Sequence, residues 1–350
     1  LKNMYQNYST KILIFFFLFL EFNMQPNTRL IHIPNGIELV PQLLSNLFIE
    51  PRKKAVEWSR ITQQTPNMKV GYPGQHLVSL ITGMPGERTG ARGNDLIDGS
   101  EIKSCSRVDQ VDECLICKNK VLRIENSCSV CGSLKIDRKN DSKWLFTIRS
   151  ENDLKVLTED VDRIVLVLAD YPYFSQGIFD DIRFQIFEIW NNSPRCSKFK
   201  QLMKNYYENI YGTHKANNAN KTPAPKNFWP NSYQFYLCNP IKIFSATVTN
   251  SITNPQITID TYIPPDKDRS NMPSLLMPIE LLKKNELIYL AANVPVDILK
   301  SNLICGCGDL PEDPLEILKK CSTINEQTRA FLPLREDTTF VIPDYNRRRY

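Results

Sequence analysis

The sequence predicts an α/β (α+β mixed) fold: a mixed sheet flanked by helices, with a small cysteine ribbon inserted into it. Three observations carry this expectation. Residues 95–105 join the turn signal Asp98-Gly99 to a short alternating run, the pattern of a hairpin. Arg163–Asp170, RIVLVLAD, is the continuous apolar run of a strand buried on both faces. Between them stand Cys114-x2-Cys117 and Cys128-x2-Cys131-Gly132, two paired-cysteine turns ten residues apart.

Taken in order, the chain begins with an apolar run at 12–20, ILIFFFLFL, preceded by Lys2 and Lys11. It is shorter than the roughly 20 apolar residues that span a bilayer, and no small-residue cleavage site follows it. Residues 1–23 are therefore expected to be an upstream leader and Met24 the natural start, with a signal peptide or a membrane-surface helix as the alternative. The N-terminal helical region covers 24–70: an extended arm at 29–40, then two packed helices over 41–63 interrupted at Pro51. Residues 75–82 read as a further helix leading into the hairpin. After the ribbon, 143–148 reads as a strand and Ser150 as the cap of a short helix. Residues 182–190 alternate as a strand with one wet face. A lysine- and tyrosine-rich amphipathic helix at 198–211, a polar loop at 217–230, β-branched alternation over 240–262 and an apolar stretch at 278–302 complete a C-terminal region over 191–350.

Composition sets broad limits. The 350 residues are 42% hydrophobic and 23% charged, a globular balance. A formal net charge of +5 and a pI near 8.6 suit a polyanionic partner without establishing one. Ten cysteines, four of them in the two pairs, fit a metal site in a reducing cytoplasm better than a disulfide framework. There is no internal repeat or phosphate-binding glycine loop, and none of His32, His76 and His214 stands beside a nucleophile signal.

The chemistry is concentrated in Asp95-Leu-Ile-Asp-Gly-Ser-Glu101-Ile-Lys103. On a strand, Glu101 and Lys103 leave one face while Ile102 points to the core. A three-residue loop, Ile97-Asp98-Gly99, puts Gly99 at a left-handed position and Asp95 opposite Glu101, whereas a two-residue loop would pair Leu96 with Glu101 and send Asp95 to the opposite face. The first register is expected, with Asp98 as the rival ligand. Two facing carboxylates repel unless a cation lies between them, and oxygen ligands suit Mg²⁺ or Mn²⁺. Lys103 beside them can orient water or neutralise a phosphate, which completes the parts of phosphodiester hydrolysis. The bland alternative is a turn former followed by a solvated strand face. Glu87 is a further candidate for assisting the metal, and Arg88 and Arg92 for holding phosphate or a carboxylate. Ser104, Cys105, Ser106, Arg107 and Gln110 are candidates for touching a DNA backbone.

The cysteine quartet Cys114, Cys117, Cys128 and Cys131 has the spacing of a zinc ribbon, and four thiolates close the coordination sphere, so its expected role is structural, with an iron–sulfur or redox site as the alternative. Lys118, Lys120 and Arg123 make it either a DNA-facing finger or a basic solvated surface. Cys305, Cys307 and Cys321 lack a fourth spaced ligand and are expected to be free thiols, and the basic tail at 347–350 is expected to be disordered.

The D…ExK arrangement resembles the core of the PD-(D/E)xK nucleases. The wider run, with GMPGERTGARGND before it and SCSRVDQ, the cysteine quartet and DSKWLF after it, resembles the MamI-type restriction endonucleases, most strongly over 71–148. That resemblance implies a nuclease core over 71–190 with a zinc ribbon inserted at 112–134. It also implies a C-terminal DNA-recognition and dimerisation region over 191–350. The expected protein is a cytoplasmic type II restriction endonuclease, using Mg²⁺ at Asp95, Glu101 and Lys103 to cut double-stranded DNA at a short interrupted palindrome. A homodimer and a companion DNA methyltransferase, encoded nearby but not bound, are expected with it. The alternatives are a repair or structure-selective nuclease of the same chemistry, and a non-catalytic zinc-ribbon DNA-binding protein.

Overall fold

The computed structural model describes residues 24–88, 94–217, 220, 222–303 and 312–335. Residues 1–23, Arg92, Cys305, Cys307 and the tail at 347–350 lie outside them. The chain enters through a buried Met24, whose N–H donates to Ser270 Oγ at 3.1 Å. Where an extended arm was expected, helix α1 (Gly36–Leu44) begins. It runs through a π-helical turn (Ser45–Ile49) straight into α2 (Glu50–Thr62), with right-handed helical backbone at both junctions. The expected pair of packed helices is thus one continuous helical run. Proline lacks an N–H donor and its ring crowds the preceding turn, and the widened turn ahead of Pro51 makes room for it.

Helix α3 (Gly71–Thr82) packs across α1 so closely that a Cβ at Gly36 would lie 2.1 Å from the Leu80 carbonyl oxygen. Its other side lies on strand β1 (Glu101–Ser106), where a Cβ at Gly74 would meet Ser104 Oγ at 2.3 Å. Both contacts need glycine because only a missing side chain allows the backbones this approach.

After β1 come the short ribbon strands β2 (Asp112–Cys114), β3 (Lys120–Val121) and β4 (Ile136–Asp137), paired in the order β3-β2-β4. Strand β5 (Trp144–Phe146) leads to helix α4 (Glu151–Lys155), capped as expected by Ser150, whose Oγ accepts the Asp153 N–H at 3.1 Å. Strands β6 (Arg163–Asp170) and β7 (Ile182–Trp190) follow. Helix α5 (Ser197–Asn205) buries Phe199, Leu202 and Met203 and continues through a π-helical segment (Tyr206–Tyr211). Strand β8 (Lys226–Phe228), helix α6 (Tyr233–Leu237) and strands β9 (Ile241–Thr249) and β10 (Gln256–Tyr262) complete the body. Helices α7 (Lys284–Asn293), α8 (Val296–Lys300) and α9 (Pro314–Lys320) close the described chain with short pieces around them.

The main sheet has the order β1-β6-β7-β9-β10. Strand β1 runs parallel to β6, with Lys103 beside Leu166, and the remaining pairs are antiparallel. Every residue of β6 is buried, as a continuous apolar run in a sheet covered on both faces requires. The wet face expected of β7 is corrected: its alternate positions are buried too. Its polar residues are absorbed by partners instead of water, Glu188 taking Arg163 at 2.7 Å and Arg269 at 3.3 Å. On one side an aromatic cluster of Trp144, Phe187, Phe228 and Phe235 fills the space between β5, β8 and the sheet, with ring centroids 5.3–6.5 Å apart. No helix among the described residues is long and apolar enough to cross a membrane.

Candidate active site and cysteine cluster

The bend before β1 closes through the Gly99 N–H, which donates to the Leu96 carbonyl at 3.1 Å, and the Leu96 N–H, which donates to the Ser100 carbonyl at 3.3 Å. This is the three-residue loop, and Gly99 occupies its left-handed position with φ +82°. The strand geometry then sends Glu101 and Lys103 to one half-buried face and Ile102 inward, 5% exposed. Lys103 Nζ donates to Glu101 Oε1. Asp95 Oδ2 accepts the Ile102 N–H at 2.7 Å, which ties the aspartate to the open edge of β1. Its other oxygen accepts Gln75 Nε2 from α3 at 2.6 Å.

Burial pushes the Asp95 carboxyl above its usual range, against the Ile102 N–H and Lys103. Glu101 is raised as well, first by burial and further by the charge of Asp95, while Lys103 opposes both. Two carboxylates whose charges burial disfavours, one of them further by the other's charge, are ready to accept a hard cation.

Asp98 is turned away from this pair. Its Oδ1 accepts the Ser100 N–H at 3.1 Å and its Oδ2 takes Arg163 Nη2 at 2.8 Å. Arg163, 1% exposed at the head of β6, also donates to Ser100 Oγ and Glu188 Oε1, so a buried cation grips the bend from beneath. Glu87 shares backbone pairing with Asp95, its N–H donating to the Asp95 carbonyl at 3.0 Å, but its side chain is exposed, as is that of Arg88.

Two of the expected backbone-touching residues are corrected. Arg107 is 3% exposed, its guanidinium donating to the carbonyls of Ser142 and Pro230, which fixes the loop after β1. Cys105 is 3% exposed, and burial pushes its thiol up to about 12. Gln110 donates to Asp141 at 2.9 Å. Ser104 and Ser106 stay half-buried.

The Sγ atoms of Cys114, Cys117, Cys128 and Cys131 lie within 4.8 Å of one another, the only group of three or more potential metal ligands among the described residues. Each pair forms the same knuckle. The Cys114 carbonyl accepts Lys118 N–H and the Cys128 carbonyl accepts Gly132 N–H, with φ of +63° and +69° at the donors. The N–H of Cys117 foremost draws the Cys114 thiol down to about 6, and that of Cys131 lowers Cys128. Against the Asn119 N–H, burial and the neighbouring thiols push Cys117 up to about 12, as crowded sulfurs do. Sulfurs this close suit a tetrahedral ion about 2.3 Å from each.

A DNA-facing role for Arg123 is overturned by its burial at 3% exposure. It forms a two-pronged pair with the buried Asp112 at 2.8 and 2.7 Å, while its guanidinium lies over the rings of Phe174 and Phe179, 5.0 and 4.7 Å from their centroids. Arg138 adds a second pair to Asp112 at 2.8 Å. The ribbon is therefore docked on the β6–β7 connection by its own cations. Cys321 is buried, its thiol donating to the Ile317 carbonyl.

The sequence model of the family described as MamI restriction endonuclease matches residues 57–280, more than half of the chain. The chain belongs to the MamI restriction endonuclease family. The matched family region holds α3, the bend, the cysteine ribbon and all five strands of the main sheet. A curated relative, the type II restriction enzyme MamI of Microbacterium ammoniaphilum, is 34% identical over 74 residues, 21% of this chain and 24% of that protein. The match thus spans about a quarter of the relative's length. No solved structure matches. Sequence reasoning missed Gln75 and Arg163, because a glutamine in a helix and an arginine heading an apolar strand carry no local signal of the bend they reach.

Proposed function

We propose that this family member is a Mg²⁺-dependent type II restriction endonuclease, hydrolysing phosphodiester bonds of double-stranded DNA at a specific short sequence by PD-(D/E)xK chemistry. The observation that carries the reading is the convergence of Asp95, Glu101 and Lys103 on one half-buried bend while Asp98 is held elsewhere by Arg163. The donor set fits the ion: hard carboxylate oxygens whose charge burial disfavours, on an edge where the Ile102 carbonyl leaves on the same side as the N–H bound by Asp95. Asp95, Glu101 and the Ile102 carbonyl would hold Mg²⁺, which supplies Lewis-acid stabilisation and lowers the pKa of water.

The chain's own groups do the rest. Gln75 and the Ile102 N–H fix the rotamer of Asp95, so its carboxylate is in place before substrate arrives. Lys103 is held by Glu101 within reach of the same place. There its ammonium orients the attacking water in line with the leaving oxygen and offsets charge growing on the phosphate, leaving 5′-phosphate ends.

The four cysteines fit a structural Zn²⁺, holding the ribbon together and taking no part in hydrolysis. An interrupted palindrome read by a twofold homodimer, with a methyltransferase protecting the host's own sites, completes the proposal.

The test is cleavage of mixed-sequence plasmid DNA with Mg²⁺, repeated with EDTA and with Glu101→Ala. Discrete fragments that vanish in both controls are expected. Smearing or mismatch nicking would make it a different nuclease, and zinc-dependent binding without cutting a DNA-binding protein.

A further inference from the structure

Beyond Lys103 the same strand opens into a cleft, lined by Ser104, Cys105, Ser106, Asp141, Ser142, Lys143 and Leu145 and about 300 Å³ in volume. Strand β1 ends the main sheet, so among the described residues one of its edges has no strand partner. The Ile102 N–H leaves toward Asp95 and the Arg107 N–H toward Ala169 of β6. Alternation along the strand therefore sends the backbone groups of Ser104 and Ser106 to the open edge, the side of the cleft. One wall carries Lys143. Its ammonium lies 5.6 Å from the centroid of the Trp229 ring and is in no ion pair among the described residues. Trp229 is 9% exposed and its Nε1 has no hydrogen-bond partner there, so the indole contributes its face to holding the lysine. The one carboxylate in the lining, Asp141, is engaged by Gln110.

We propose that this cleft seats the sugar–phosphate backbone of the DNA strand next to the scissile phosphate, with Lys143 as a phosphate-contacting residue and the free edge at Ser104 and Ser106 as its neutral rail. The inference rests on the nuclease reading and deepens it, giving the strand a direction along β1 away from Asp95 and Glu101. A cation in no ion pair among the described residues and backbone donors on an open edge match a polyanion.

The test measures binding of a fluorescent mixed-sequence duplex by anisotropy, with Ca²⁺ replacing Mg²⁺, across a salt series. Lys143→Met keeps the apolar stem over Trp229 and removes the charge. It should bind about three- to tenfold more weakly, with the slope of log affinity against log salt reduced by about 0.9, as the loss of one phosphate contact requires. Lys143→Arg should restore both, and near-UV circular dichroism should show all three proteins folded alike. Wild-type affinity and slope in Lys143→Met would overturn the proposal while leaving the nuclease reading intact. If the unaltered protein neither binds nor cuts duplex DNA, the reading of function falls first and the cleft with it.

Discussion

Arg163 Nη2 lies 2.8 Å from Asp98 Oδ2, and this ion pair turns Asp98 away from Glu101 and Lys103. The guanidinium is 1% exposed and the carboxylate side chain 10% exposed, so neither partner can trade the other for water. Asp95, four residues from the Gly99 turn, keeps its carboxylate on the open edge of β1.

A first prediction separates the two. Asp98→Ala should cost about 3 kcal/mol of stability in urea unfolding, because it leaves a buried arginine charge undercompensated. It should still cut plasmid DNA at low temperature. Asp95→Asn should abolish cutting with much the same unfolding midpoint as the wild type. The opposite pattern would make Asp98 the ligand.

The raised carboxyl of Glu101 gives a pH prediction. A carboxyl whose folded pKa exceeds its unfolded value contributes stability that is fully present below the unfolded value, about 4.3, and lost as pH rises through the folded one. In metal-free protein the contribution of Glu101 should thus fall as pH rises above that value, so the wild type should lose stability relative to Glu101→Gln across that range, with the part due to Asp95 left in both. Added Mg²⁺ should reverse the loss in the wild type alone. Thermal melts from pH 4 to 8 with and without the ion would check it. Parallel profiles for both proteins would count against a disfavoured charge at this position.

Packing at Gly74 gives a third. A Cβ there would sit 2.3 Å from Ser104 Oγ, so Gly74→Ala should cost roughly 1–3 kcal/mol by overpacking and shift α3 away from β1. Because Gln75 holds Asp95 from that helix, cleavage should fall more than stability explains. Adding Ser104→Gly should recover both, a coupling that a double-mutant cycle measures.

The cysteine cluster gives a fourth. The protein should carry one zinc per chain by elemental analysis, and Cys128→Ser should release it and lower the melting temperature. Hydrogen exchange should then quicken in the ribbon and also around 171–179, where Arg123 docks on Phe174 and Phe179. Quickening confined to the ribbon would mean that the docking survives without the metal.

Local spacing was enough to read the bend. The Asp98-Gly99 turn, the side chains of Glu101 and Lys103 on one face, the two knuckles and the apolar run 164–169 inside β6 depend on dihedral preferences and alternation within a few residues. Such signals stay legible without the rest of the chain. Where reading failed, distant partners had intervened. Residues 182–190 alternate like a half-wet strand, yet Arg163, from another strand, and Arg269, 81 positions beyond Glu188, turned that face into a buried polar layer. Arg123 reads as a surface cation until Asp112 and two phenylalanine rings enclose it.

The sequence by itself determined the chemical inventory and its local geometry: an aspartate, a glutamate and a lysine around a tight turn, four cysteines in two knuckles, and a strand too apolar to face water. Only the tertiary structure decided which aspartate is held away by an arginine, what fixes the rotamer of the other, and which basic residues are spent on the fold. Those outcomes depend on Gln75, Arg163 and Phe179 meeting residues 20 to 65 positions away, and contacts at such separations are set by helix and strand packing.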